Sequence, residues 1–169
     1  MYLYENSKFM RKLLLSLFFF PLLLSCQNPK KKPTKKVKYL FEKTEIEWKA
    51  KLRKMAFYVL REAGTERAFS GKYDKFYEKG TYQCAACATP LYQSKYKYDS
   101  GSGWPSFDRG EDQNIEYDVD YKLGYARTEL KCNKCGGHLG HLFNDGPRLT
   151  TGKRHCINSA ALHFIPPNL

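Results

Sequence analysis

Apolar residues change their period along the chain. From residue 45 to 61, Ile46, Trp48, Leu52, Met55, Ala56, Val59 and Leu60 recur at intervals that suit one helix face, and Gly64 is placed to stop the helix they predict. Trp48 reads there as a packing residue. Beyond Gly71 the texture turns to short stretches rich in Tyr, Phe and Thr, broken by Gly, Pro, Asn and Asp, which predict strands at 80–83, 91–92, 115–121, 125–130 and 156–164. No helical stretch alternates with these strands, as the crossovers of a parallel sheet would require. The expected fold is mainly β: an antiparallel β core carrying a short N-terminal helical segment of one helix or two.

Ahead of this region the pattern is different. Lys8, Arg11 and Lys12 precede an apolar run from Leu13 to Leu24, short for a membrane span and arranged as an export signal is. The run closes on Leu23, Leu24, Ser25 and Cys26, which resembles the lipobox of bacterial lipoproteins, where the Cys thiol is acylated and becomes the new N-terminus; a plain signal peptide or a short anchor is the alternative. Residues 27–43 read as a basic, extended tether whose lysines could lie against anionic headgroups. The organisation expected is therefore a signal at 1–26, the tether, one folded domain at 44–165 and a tail at 166–169, anchored by lipid to a bacterial cell envelope on its periplasmic side or cell surface.

Charge then has to be located before it is interpreted. The formal net charge is +12, but residues 27–54 hold eleven Lys or Arg against three acids, while 55–169 hold fifteen against thirteen. The basic character belongs to the tether. A folded part of about +2, brought near neutral by metal-bound thiolates, argues against a nucleic-acid partner, and a monomer is expected.

The six cysteines carry the chemistry. Setting Cys26 aside leaves an odd number, four of which form two Cys-x-x-Cys units, Cys84 with Cys87 and Cys132 with Cys135. Such a unit sets two thiolates at adjacent corners of a zinc tetrahedron, and a second unit completes it, so one closed structural zinc site is predicted. Disulfides within the units and a thioredoxin-like exchange pair are the competing readings. Gly136 and Gly137 follow the last ligand, where a left-handed backbone would bring amides towards sulfur. His138 and His141 continue the spacing, which makes a mixed Cys/His site conceivable, although four thiolates already fill the shell.

Cys156 is left over. A lone Cys on a strand is ordinarily a small buried hydrophobe. This one is flanked by Arg154 and His155, and all four histidines lie from residue 138 onward, so groups able to activate a thiol are plentiful.

Four stretches, together with the two Cys pairs, carry a resemblance to a known family: LREAGTERAFSGKY at 60–73, SGSGWPSF at 100–107, GGHLGHLFNDGP at 136–147 and RHCINSAALHF at 154–164. They resemble methionine sulfoxide reductase B over residues 44–165. The resemblance implies a zinc-bearing β fold and reduction of methionine R-sulfoxide, free or in oxidised proteins and peptides, as a repair reaction. It makes Cys156 the nucleophile that becomes a sulfenic acid, and His138 and His141 the groups that orient and protonate the sulfoxide oxygen. It points to Asn158 for hydrogen bonding on the same strand face, to Trp104 as an aromatic surface for the S-methyl group, and to Phe143 as pocket lining. Asp145 and Arg154 read equally as site residues or as an ion pair. Two departures stand out. Ser102 occupies the place where many members have a resolving Cys, which implies an external reductant, a thioredoxin-like protein or a small thiol. His155 replaces an expected aromatic residue and would either modulate the thiol or be exposed. The rival readings are a zinc-ribbon binding module and an envelope disulfide-exchange protein.

Overall fold

The structure is a computed structural model and describes residues 38–167. The expected export signal, the Cys26 lipidation position and most of the tether lie outside the described residues.

Thr44 opens the folded region with a capping box: its hydroxyl accepts from the Glu47 amide while the Glu47 carboxylate accepts from the Thr44 amide. Helix α1 (Glu45–Lys51) follows, then α2 (Lys54–Glu62) after a break at Leu52 and Arg53, both with extended backbone. The helical segment expected over 45–61 is thus two helices. In one continuous helix, at roughly 100° per residue, Trp48 and Phe57 would point to opposite sides. The break lets both be buried, at 2% and 7% exposure, and leaves Ile46 and Met55 outside. Ala63 ends α2 in the left-handed conformation, and the Gly64 amide donates to Tyr58 O. A Cβ at Gly64 would lie 2.3 Å from the ring of the exposed Tyr58, which would have to swing away.

The strands are β1 (Thr81–Cys84), β2 (Pro90–Gln93), β3 (Lys97–Tyr98), β4 (Ser106–Phe107), β5 (Ile115–Asp120), β6 (Arg127–Cys132), β7 (His138–Phe143), β8 (Arg154–Ile157) and β9 (Leu162–Ile165). They form a three-stranded sheet in the order β2-β1-β9 and a six-stranded sheet in the order β3-β4-β8-β7-β6-β5, with antiparallel pairing throughout. Stacked and edge-on aromatics join the sheets: Phe107 of β4 stacks on Tyr92 of β2 at 4.4 Å and meets Tyr82 of β1 at 5.2 Å, and all three rings are fully buried. Burial of each contributes on the order of 2–3 kcal/mol.

Two expectations need correction. The stretch 156–164 is not one strand: β8 and β9 belong to different sheets, separated by a 3-10 turn at Ser159–Ala161. The corner is held by the buried Glu66 carboxylate, which accepts from the amides of Ser159 and Ala160 at 2.5 and 2.9 Å. Strand β7 was not predicted at all. It lies between β6 and β8 with His138 to His141 buried on both faces, so its sequence lacks the alternation that marks a half-exposed strand.

Candidate active site

Two chain reversals of the same form carry the paired cysteines. Cys84 ends β1 and Cys132 ends β6, with Cys87 and Cys135 in the turns that follow. In each turn the amide after the second Cys donates to the carbonyl of the first, Ala88 to Cys84 and Gly136 to Cys132, both at 2.8 Å. Ala88 and Gly136 are left-handed, at φ 59° and 67°. Glycine adopts this freely, whereas alanine pays about 1–2 kcal/mol for it. Gly137 lacks the left-handed backbone expected of it, and packs instead where a Cβ would press on Leu60.

The four sulfurs lie within 4.8 Å of one another, with Cys84 to Cys135 at 3.8 Å and Cys87 to Cys132 at 3.6 Å. A tetrahedron with zinc–sulfur bonds of ~2.3 Å has edges of ~3.8 Å, so the residues fit that ion. The described cysteines are all free thiols, so neither unit is closed by a disulfide, and no histidine joins the cluster. Because β1 and β6 belong to different sheets, the cluster ties the two together. Arg61 extends the tie to α2 by donating to Cys135 O at 2.9 Å.

Cys156 lies apart from it. It sits in β8 with Ser106 of β4 directly opposite on one side and His141 of β7 on the other, so the three side chains share one sheet face. Trp104, His141, Phe143 and Asn158 line one cleft with Cys156, joined by Thr65, Arg127 and Gly140, which sequence reasoning missed. Trp104 is pinned by its indole N–H, which donates to Glu66 O at 3.1 Å. Asn158 follows β8 with extended backbone and leads the 3-10 turn; its side-chain amide is engaged, donating to Leu139 O and accepting from the Glu66 amide at 2.9 Å each. His138 does not line the cleft. Its Nδ1 meets the Glu129 carboxylate, and its ring stands edge-on to that of His141 at 5.2 Å.

Burial sets the protonation states. It pushes the Cys156 thiol up, outweighing Arg154 and the Ser102 hydroxyl, which pull it down. His141 is held below the ordinary imidazole value by burial, against the Asp120 carboxylate 2.9 Å from its Nε2. The Lys122 amide first, then His141 and Arg127, bring Asp120 down to about 2. An ionised Asp120 accepts from Nε2–H, which leaves Nδ1 as the nitrogen that takes and gives a proton. At neutral pH the resting site is therefore a protonated thiol beside a neutral imidazole that is oriented by a carboxylate.

Arg154 makes a two-point ion pair with Asp145 at 2.8 and 2.9 Å and lies 4.3 Å over the Phe143 ring. His155 is neither exposed nor near the thiol. It points to the other face of β8, where Tyr92 Oη lies 3.3 Å from its Nδ1, and burial lowers it to about 4. An unfolded His protonates near the ordinary 6.5, so the stability that neutral His155 contributes is complete above that value and is lost as pH falls towards about 4. We expect His155→Phe to lose about 2–3 kcal/mol less than wild type between pH 7 and 4 in urea denaturation, and equal losses would show that His155 does not set the acid sensitivity.

Fold and site define a class first: a two-sheet antiparallel β protein with a closed four-thiol cluster and, apart from it, one free thiol facing a carboxylate-held histidine. The SelR domain model matches residues 52–166. "Peptide methionine sulfoxide reductase MsrB" of Leptospira interrogans serogroup Icterohaemorrhagiae serovar Lai (strain 56601) is 51% identical over 127 residues, covering 75% of this chain and 96% of that protein. The protein of the same name from Chromohalobacter salexigens is 48% identical over 126 residues, covering 74% and 95%. "Methionine-R-sulfoxide reductase B3, mitochondrial" of Mus musculus is 47% identical over 133 residues, covering 78% of this chain and 51% of that one. The chain belongs to the methionine sulfoxide reductase B family.

Proposed function

We propose that this chain reduces methionine R-sulfoxide in oxidised proteins back to methionine through a Cys156 sulfenic acid, as a repair enzyme held by lipid at a bacterial envelope. Its family makes it a peptide-methionine (R)-S-oxide reductase. The observation that carries the mechanism is the register that sets Cys156 opposite His141 in one cleft, while the other described thiols gather elsewhere. Incorporation of labelled palmitate, lost in Cys26→Ala, tests the anchor.

The thiol and the imidazole need only one proton between them. As Cys156 sulfur attacks the sulfoxide sulfur, His141 Nδ1 takes the thiol proton and delivers it to the sulfoxide oxygen. The hydroxyl then passes from the methionine sulfur to the Cys156 sulfur as the new S–S bond breaks, methionine leaves, and Cys156–SH plus sulfoxide has become Cys156–SOH plus thioether with no net proton change. Asp120 fixes the tautomer and stabilises the imidazolium formed on the way. Trp104 and Phe143 offer apolar surface to the S-methyl group, and Arg154 favours the charged sulfur. His138 and Asn158 act as positioning residues, since one ring supports His141 and the other amide is already bonded to backbone. Cys84, Cys87, Cys132 and Cys135 would hold a structural zinc ion, whose chemistry is to cross-link the sheets.

The direct test offers the purified protein peptides carrying the R or the S sulfoxide and measures methionine released with excess thiol. R-selective turnover is expected; no turnover, or preference for S, sinks the reading. Asp120→Asn should keep the shape of the contact but lower kcat about 10- to 100-fold with little change in KM, and shift the pH profile as His141 becomes less basic. An unchanged profile would remove Asp120 from the mechanism.

A further inference from the structure

If Cys156 becomes a sulfenic acid, as just proposed, regeneration needs an attacking sulfur, and the described residues offer none outside the four-cysteine cluster. A second groove opens on the Ser102 side of Cys156. Tyr98, Asp99, Ser102, Asp145 and Arg154 line this groove, and its lining shares no residue with that of the substrate cleft. Ser102 forms the partition: its Oγ lies 3.9 Å from Cys156 Sγ and 2.8 Å from Ser100 Oγ. Arg154 forms the rest, stacked on Phe143 of the cleft.

The oxygen reaches Cys156 from the cleft, where the sulfoxide is bound. Displacement at sulfur is in line, so the attacking sulfur must come from the side away from the departing oxygen. Ser102 is a neighbour of Sγ that belongs to the groove and not to the cleft. Its hydroxyl is held by Ser100 at 2.8 Å and makes only a long contact with Sγ at 3.9 Å, which an entering sulfur can replace.

The groove also has a chemistry. Serine hydroxyls and backbone line it, and the Tyr98 hydroxyl is buried without a hydrogen-bond partner among the described residues. Its charges are held: Asp145 occupies Arg154, and Asp99 accepts from Lys75 at 2.6 Å. Each carboxylate is matched by a cation, so an entering anion would find no free cation among the lining residues to hold it.

We propose that this groove admits the reductant, and that the reductant is a low-molecular-weight thiol with a polar, uncharged or ammonium-bearing body. A first thiol attacks Cys156–SOH, forming Cys156–S–S–R while the oxygen leaves as water with the thiol's proton. A second thiol attacks the mixed disulfide, releasing R–S–S–R and restoring Cys156–SH. Two thiols thus supply the two electrons.

Gly101 provides the probe. It lines the groove at φ +71°, and a Cβ there meets nothing within 4 Å. Asp and Asn both tolerate that backbone, so Gly101→Asp compared with Gly101→Asn isolates one charge at the groove. Each variant is oxidised with R-sulfoxide peptide in the absence of thiol. Mixed-disulfide formation is then followed by mass spectrometry with 2-mercaptoethanol, cysteamine or mercaptosuccinate, and rates are expressed per thiolate. In wild type, mercaptosuccinate should be about tenfold slower than 2-mercaptoethanol. Relative to Gly101→Asn, Gly101→Asp should slow mercaptosuccinate and speed cysteamine by about threefold each, less so in high salt, with the same initial burst of methionine. A normal burst followed by rates indifferent to the charge would overturn the groove as the entry. So would regeneration by a protein dithiol where none of the small thiols forms a mixed disulfide. Absence of the burst would overturn the reductase reading, and this inference with it.

Discussion

Cys156→Ser should reduce no methionine sulfoxide above background, a loss of at least about 10⁴-fold in turnover. The step requires a polarisable sulfur that can accept oxygen and later surrender it to a thiol, and a hydroxyl can do neither. Nothing in the rest of the cleft replaces it: the other groups there are a histidine, an arginine, an amide, the Thr65 hydroxyl and apolar surface. The variant should remain folded, because Cys156 is half-buried at the cleft and is not one of the residues that pack the hydrophobic core. Thermal unfolding recorded beside turnover separates the two effects. Substantial R-sulfoxide reduction by a folded Cys156→Ser protein would show that the chemistry resides elsewhere.

Removal of the metal should act in the opposite way, on the fold before the activity. Cys84, Cys132 and Cys135 are buried, and the four sulfurs are crowded within 4.8 Å at the point where β1 of one sheet meets β6 of the other. A structural zinc site contributes on the order of 10 kcal/mol or more at neutral pH, comparable with the whole stability of an ordinary domain. Cys132→Ser, or chelation under mild denaturation, should therefore abolish cooperative unfolding or lower Tm by more than about 20 °C. Elemental analysis should find one zinc per folded chain. A chain that lacks metal and unfolds at the same temperature would contradict the structural role.

The four-cysteine cluster was legible because each half is local: a Cys-x-x-Cys turn is written in four consecutive residues, and the structure brings the halves to within bonding distance of one ion. Most of the cleft came into view only through the family resemblance of long motifs, which already contained Trp104, His141, Phe143 and Asn158. Asp120 and Arg127 had no such signal. They stand at either end of a hairpin turn and look like solvated charges, and only the register of β5, β6 and β7 carries them to His141. Glu66 was equally silent, because the turn it holds lies more than 90 residues away in sequence. The place of the helix break and the burial of His155 were not legible for a related reason. Periodicity shows which residues can share a face, but which of them find a partner is decided by the rest of the fold.

Ser102 sharpens what the active site lacks. It places a hydroxyl beside Cys156 where a thiol could have closed an internal disulfide, so the oxidised enzyme should persist until a reductant arrives. The decisive measurement exploits that persistence. Wild-type protein, stripped of thiols, is mixed with R-sulfoxide peptide, quenched, treated with dimedone and mapped by mass spectrometry. Expected are one methionine and one dimedone adduct per chain, the adduct on Cys156, and neither product with the S epimer. A methionine burst without that adduct, or with Cys156 in a disulfide to Cys84, Cys87, Cys132 or Cys135, would contradict the mechanism.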